Sequence, residues 1–293
     1  MTLLLVSAIV FILGRLTGDP VALMLNEFAT EEDRRLLTER LGLDKSLPEQ
    51  YVVFLGNALH GDLGRSIRGE RAPALDLVLE RLPASLQLAA IGVAVSLLVG
   101  LPLGVLSAIW KGSAVDVLLR IGALLGQAAP VFWLGIVAMY VFSVQLRLLP
   151  SSGYGSAEQF VLPVFAMSAF MIAAVMRLTR ASMLEILDTE FIKLARIKGL
   201  SEWRVIGKHA LRNSLIPVLT YMGTIFGRMV TGAVVVETIF AWPGIGRLAY
   251  EAVLARDFPV LQAVVLFIAA LFLTINLVVD ILYAYIDPRI RYS

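Results

Sequence analysis

The dipeptide Gly207-Lys208 is where this sequence comes nearest to a nucleotide-phosphate loop, and it falls short. A G-x-x-x-x-G-K-[ST] loop needs glycine at position 202, which is Glu202, and Ser or Thr after the lysine, where His209 stands. The chain therefore lacks the residues to cradle a nucleotide, and no catalytic group is assigned. Metal chemistry is no better provided for. There is no cysteine, and His60 and His209 lie in different segments, so no metal site is expected. No apolar segment carries a Ser/His, Asp/Asp or H-E-x-x-H constellation, which disfavours an intramembrane enzyme. What remains is a set of polar residues inside long apolar runs: Arg228, Gln127, Gln87 and Asn276. A charge at mid-bilayer costs about 2.5–3.5 kcal/mol on insertion scales, so Arg228 is expected to face a polar path or a partner subunit rather than acyl chains. Gln87, Gln127 and Asn276 are candidates for the same path, although such amides also serve as interhelical hydrogen-bonding groups.

The elements that must carry these residues follow from composition. Hydrophobic residues make up 58% of the chain and charged residues 16%, and the mean hydropathy is +0.82. That is more apolar surface than one globular core can bury, so the chain belongs in lipid. A net charge of +2 with no long Lys/Arg run gives no footing for nucleic acid. Apolar stretches recur at Ser85–Trp110, Val115–Leu146, Phe160–Met176, Leu215–Ile239 and Pro259–Tyr285. With the N-terminal segment they predict an all-α polytopic membrane protein of about six transmembrane helices, because hydrocarbon leaves no water to satisfy an open sheet edge. The segment Thr2–Leu16 is shorter than the roughly 20 residues a span ordinarily needs, and neither a basic flank nor an A-x-A site marks it as a removable signal. Trp133, Tyr140, Trp242 and Tyr285 are candidate interfacial anchors.

Loop charges set the expected orientation. The loop after the fourth span carries Arg177, Arg180, Lys193, Arg196, Lys198, Arg204, Lys208 and Arg212, and the C-terminal tail adds Arg289 and Arg291. Both are expected in the cytoplasm. With about six spans both termini are then cytoplasmic. The resulting division is a first transmembrane helix at 1–16, a large extracytoplasmic loop at 17–83, a membrane core at 84–285 with a cytoplasmic loop at 178–214, and a cytoplasmic tail at 286–293. The outer loop is acid-rich (Glu31, Glu32, Asp33, Asp44, Glu49, Asp62), and it suits either a cap over the bundle or a docking surface.

The stretch from Glu190 to Pro217 reads as helix, turn, helix. Phe191, Ile192, Ala195 and Ile197 are expected on one side of a short helix, with Lys193, Arg196 and Lys198 around the rest. Gly199 suits a left-handed C-cap, and Ser201 with Glu202 can open the next helix. Such a helix can lie on anionic lipid or dock into a partner.

This stretch resembles the EAA loop of binding-protein-dependent ABC permeases: Glu190, Ala195, Gly199 and Ile216-Pro217 occupy its characteristic positions, although Leu194 departs from the triplet. Ala195 to Leu200 is similar to the A-R-x-K-G-L form of the dipeptide, oligopeptide and nickel branch. Gly18-Asp-Pro20, Leu41-Gly-Leu-Asp44 with Gln50-Tyr51, Gly61-Asp-Leu-Gly-Arg-Ser66, Arg81-Leu-Pro83, Pro130-Val-Phe-Trp133, Glu237-Thr-Ile-Phe240, Pro243 to Leu248 and Asp287-Pro-Arg-Ile-Arg291 resemble the same branch, in order along the chain. The resemblance implies an inner-membrane permease, the first of a pair, with Glu190, Phe191, Ala195, Arg196, Lys198, Gly199 and Leu200 forming the coupling helix against an ATPase. It also implies its partners: a homologous second permease, two cytoplasmic ATPases that hold the ATP and Mg, an extracytoplasmic substrate-binding protein, and lipid. No cofactor is expected on this chain. The substrate class it implies is peptides or related small solutes. A self-sufficient secondary transporter is the alternative, but the apolar segments lack the several acidic residues a proton relay uses.

Overall fold

Backbone groups in hydrocarbon must find their hydrogen bonds within the chain, and in the computed structural model they do so in helices. These are α1 (Thr2–Leu16), α2 (Glu31–Arg40), α3 (Leu47–Leu59), α4 (Ala74–Ile109), α5 (Ala114–Ala128), α6 (Val131–Ala138), α7 (Ala157–Leu187), α8 (Glu190–Ile197), α9 (Glu202–Arg204), α10 (Arg212–Gly232), α11 (Val234–Ile239), α12 (Ile245–Ala255) and α13 (Phe258–Ile286). π-Helical turns at Met139–Gln145 and Val205–Leu211 extend α6 and join α9 to α10. The structure describes residues 1–16, 21, 25, 29–40, 42–68 and 71–286, and the side chains of 16, 224, 228, 231, 232, 280 and 282–286 are outside that description. Gly18 to Pro20, Leu41 and the tail from 287 onward, which carry parts of the family resemblance, therefore lie outside the described residues. Among the described residues the only β-pairing is an isolated bridge between Arg65 and Pro73. The all-α architecture is as expected.

The apolar runs do not all become straight rods. Ala74–Ile109, Ala157–Leu187 and Phe258–Val279 are each long and apolar enough to cross a bilayer. The run at 115–146 is broken instead: Ala114–Ala128 and Val131–Gln145 meet at 103°. The cause is local. Pro130 has no N–H to donate and its ring disfavours helical geometry in the residue before it, so Ala129 goes extended (φ −76°, ψ 126°) and Pro130 becomes the N-cap of α6. The run at 215–239 also divides, into α10 and the short α11. α1, at 15 residues, rises only about 22 Å against a hydrocarbon core of about 30 Å. By length and composition three of the described helices are long enough to span, four if the bent pair is one span, and α1 is a further, shorter apolar helix. α4 also begins ahead of the apolar run, at Ala74 rather than beyond Pro83.

The chain divides into two compact units, 1–85 with 243–274, and 86–242 with 275–293. In the first, Ala74 and Val78 of α4 are buried against Ile245, Leu248 and Ala252 of α12 and Val260, Ala263 and Val264 of α13. The Gly61–Ser66 motif is a turn that docks there. Gly64 (φ +86°) takes a hydrogen bond from Ala74 N at its carbonyl, its own N–H goes to Asp62, and the Ser66 hydroxyl donates to the buried Asp257 carboxylate. In the second unit α7 is central and packs on α5, α6 and α10.

α4 approaches α7 through Gly100 and Gly104, a small-xxx-small spacing that lets backbones come close. A Cβ at Gly104 would stand 2.6 Å from the Thr179 Cβ and 2.7 Å from the Met176 carbonyl oxygen, neither of which can swing away. Gly104→Ala is therefore expected to destabilise the protein by about 1–3 kcal/mol, read as an earlier thermal unfolding transition in detergent. Gly122→Ala, with nothing within 4 Å of the new Cβ, is expected to leave that transition in place.

Candidate functional site

The basic loop begins where α7 stops. Asp188 caps α7 and Thr189 turns the chain, its hydroxyl donating to the Ile186 carbonyl (2.6 Å). α8 then carries Glu190 in its first turn and Arg196 in its last, the placement that complements the helix dipole. Glu190 Oε1 accepts from Lys193 Nζ at 2.9 Å, which raises the lysine above its ordinary pKa. The helix ends as Gly199 predicts. Gly199 sits at φ +76°, its N–H bonds the Arg196 carbonyl (2.9 Å), and the Leu200 N–H reaches back to the Ala195 carbonyl (3.3 Å), closing a Schellman motif. Arg196 then clamps the turn, its Nε and Nη2 donating to the two carboxylate oxygens of Glu202 at 2.8 and 3.3 Å. An exposed pair of this kind adds only about 0.2–1 kcal/mol, but it restricts the loop to one geometry.

The structure divides the residues singled out on α8 into two groups. Ile192 and Ala195 point inward and are buried with Ala108 of α4, Met183 of α7, and Val205 and Ala210 of the following turn. Glu190, Phe191, Arg196, Lys198 and Gly199 are exposed, and Leu200 is half-buried. Phe191 and Ile197 do not join Ile192 and Ala195 on one side, as the sequence suggested. At 100° per residue Ile197 lies about 140° from Ile192, and it is 80% exposed. Phe191, Leu194 and Ile197, three residues apart, form an exposed apolar stripe on α8, and Trp203 beyond the turn is 83% exposed. Leu194 and Trp203 were not read as site residues. A tryptophan among Ser201, Glu202 and Arg204 was the available signal.

A second feature fixes this corner from within. Asp116, 1% exposed, follows the N-cap Ser113 at the start of α5 and accepts from Arg180 Nε (2.8 Å) and Nη2 (2.9 Å), from the Gly112 N–H (3.0 Å) and from Ser107. Arg120 stands 3.5 Å away. The α4–α5 turn is thereby pinned to α7 about two helical turns before the basic loop departs. Sequence reasoning counted Arg180 only as a loop charge. The Ser113-x-x-Asp116 capping spacing was the clue to its partner.

The described candidates for the path lie in different surroundings. Gln87 is exposed and accepts from the Tyr154 hydroxyl at 2.8 Å. Gln127 and Asn276 are half-buried, and the Arg228 side chain lies outside the described residues. A cavity of about 340 Å³ in the same unit is lined by Val131, Phe132, Met167, Met171, Ile225 and Met229 among others, and Gln87, Gln127 and Asn276 are not among its described lining. Trp242 is not an interfacial anchor. It is fully buried, edge-on to Tyr154 (4.8 Å, 89°) and Phe160 (4.6 Å, 84°). The left-handed Ala241 (φ +50°) turns the chain back so that the indole enters the bundle. His60 bonds its own helix, at the Gly56 carbonyl, and no group of three metal-ligating side chains occurs among the described residues.

Arg180→Gln is expected to cost about 3–5 kcal/mol, since it strands a buried carboxylate. Thermal unfolding in detergent measures the loss, and adding Asp116→Asn is expected to recover part of it.

Comparison with known proteins places this geometry. Residues 100–292 match the family described as binding-protein-dependent transport system inner membrane component. A protein of Brucella abortus (strain 2308), named as a peptide transport system permease, is 42% identical over 300 residues, covering 99% of this chain and 95% of its own. The glutathione transport system permease protein GsiC of Escherichia coli (strain K12) is 40% identical over 293 residues, covering 100% and 95%. Among solved structures, a chain of the MetNI methionine ABC transporter in an inward-facing conformation superposes with a TM-score of 0.61 at 16% identity, over 72% of this chain and 96% of that one. A chain of an amino acid ABC transporter crystallised with histidines gives 0.56 at 18% identity, over 72% and 94%. At these identities the two structures speak to the fold.

Proposed function

Because the chain belongs to the family of binding-protein-dependent transport system inner membrane components, we propose that it is the permease through which an ABC importer carries peptides, with the exposed face of α8 as its contact to a cytoplasmic ATPase. The relatives named for peptide and glutathione transport support that substrate class. In this reading the basic loop and both termini lie in the cytoplasm, residues 17–83 begin outside, and two ATPases with bound ATP and Mg, a second homologous permease and an extracytoplasmic binding protein complete the assembly. The permease itself hydrolyses nothing. A self-sufficient secondary transporter is not favoured, because the family is one that works with binding proteins.

The observation that carries the coupling role is the division of α8. Its inner residues Ile192 and Ala195 are buried against α4 and α7, while Phe191, Leu194, Ile197 and Trp203 present apolar surface outward. A helix that merely stabilised the loop would gain nothing from an exposed apolar face rimmed by Lys198, Arg196 and Glu190, whereas a partner groove would. When a partner closes on that face, the force enters α8 and passes to α4 and α7 through close-packed side chains, which transmit displacement because they have little room to yield. The remaining residues of the loop serve this purpose: Gly199 and Leu200 end the helix, and Arg196 holds the turn. Arg228, Gln127, Gln87 and Asn276 are retained as residues of the path in the assembled transporter, where a second permease supplies the opposing wall.

The full transporter, reconstituted in vesicles with its ATPases and binding protein, tests this. Leu194→Asp combined with Ile197→Asp is expected to lower peptide-stimulated ATP hydrolysis and uptake at least about tenfold, as removal of interface anchors does, with the thermal unfolding of the isolated permease unchanged. Uptake at the wild-type rate by the variant, or uptake by the permease without any ATPase, overturns the coupling assignment.

A further inference from the structure

The unit formed by residues 1–85 and 243–274 holds two adjoining cavities that the transport reading does not use. The first, of about 500 Å³, is lined among the described residues by four cationic side chains, Arg15, Lys45, Arg65 and Arg71, against a single acid, Asp62. That acid is occupied by the Gly64 N–H at 2.9 Å. Arg15 lies over the ring of Phe11 (5.3 Å), and its Nε is buried without a hydrogen-bond partner. Gln50 lines the same cleft and is only 9% exposed. Its amide nitrogen donates to the carbonyls of Leu43 (3.3 Å) and Lys45 (2.8 Å), and its Oε1 is left buried and unpaired. Unpaired buried groups cost stability and are rare in folded proteins. Here a donor on a cation and an acceptor belong to side chains that line one cleft, each sealed just beneath its surface, so that a ligand reaches them by turning the side chain outward.

An anion alone would satisfy Arg15 and leave Gln50 Oε1 bare. A ligand that carries both an anion and an N–H satisfies both. The second cavity selects among such ligands. It is about 460 Å³, shares Gly14, Phe258 and Gln262 with the first, and is otherwise lined mainly by aliphatic side chains, including Val10, Leu13, Val253 and Val265. It runs beside α1, whose Leu4, Leu5, Ile9 and Ile12 are exposed in the manner of a lipid-facing helix. A peptide zwitterion would fill the polar cleft and leave the aliphatic groove empty. We propose that this unit binds a phospholipid whose headgroup bears a phosphate and a primary ammonium, the phosphate on the Arg15 side of the cleft, the ammonium on Gln50 Oε1, and one acyl chain in the groove.

The test is lipid titration of the purified, delipidated full-length chain, followed by native mass spectrometry. Dioleoyl phosphatidylethanolamine is expected to bind as one retained copy about tenfold more tightly than dioleoyl phosphatidylcholine, whose ammonium has no N–H to give, or dioleoyl phosphatidylmethanol, whose headgroup has no donor; the loss of one hydrogen bond to a charged group sets that factor. Arg15→Gln is expected to weaken the phosphatidylethanolamine about tenfold. Val253→Trp, at an exposed position in the groove wall, fills the acyl site without touching the polar cleft and is expected to weaken the lipid while leaving glycerophosphoethanolamine unaffected. Equal retention of the three lipids, or no change in either variant, overturns the proposal. Displacement of the lipid by glycerophosphoethanolamine or by dialanine at equal concentration overturns it also, since the cleft would then serve a free solute.

Discussion

In hydrocarbon a backbone N–H or C=O has no water to turn to, so every departure from the helix must be compensated from within the protein. This constraint explains where the structure bends. Pro130 brings no donor, so a break beside it wastes none, and the chain makes its 103° turn there. Outside the hydrocarbon, Gly199 closes α8 in the same economical way, with two of its carbonyls recaptured by the N–H groups of Gly199 and Leu200. At the end of α11 the Trp242 N–H returns to the Glu237 carbonyl at 2.8 Å, and the Gly153 N–H takes the Phe240 carbonyl at 3.2 Å. Each turn that positions something useful is one whose hydrogen bonds close.

The helices around α7 are held together by close approach and by a buried ion pair. Without water to drive apolar surfaces together, van der Waals contact between backbones must carry the association, and Gly100 and Gly104 give α4 that contact with α7. Asp116 adds direction. A carboxylate is costly to bury, and its four donors, from Arg180, Ser107 and Gly112, make it tolerable only in one arrangement of α4, α5 and α7. Packing alone would permit sliding along the glycine stripe, and the ion pair opposes it.

Much of this was legible before the structure. Hydropathy alone implies a helical membrane protein, and the position of Gly199 marks the end of α8 because left-handed backbone is inexpensive only there. Local signals failed where long-range contacts decide. Trp242 has the composition of an interfacial anchor, yet the positive φ of Ala241 sends it into the core. The start of α4 at Ala74 depends on Ala74 and Val78 meeting α12 and α13, partners far away in sequence. A proline at 130 implies a bend in the apolar run at 115–146 but not its size, which its neighbours set. Which face of α8 is buried could not be read from eight residues in which apolar side chains occur almost all round.

That last ambiguity bears on how the loop works. A short helix with one apolar face would either bury it in its own bundle or offer it to a partner. α8 has enough apolar residues to do both, because Ile192 and Ala195 fall on one side and Phe191, Leu194 and Ile197 on the rest. Its inner side chains share one buried cluster with Ala108 of α4, Met183 of α7, and Val205 and Ala210 of the π-helical turn that leads to α10. On the proposed role a thrust on its outer face would therefore reach α4, α7 and that turn together, through side chains with little room to yield.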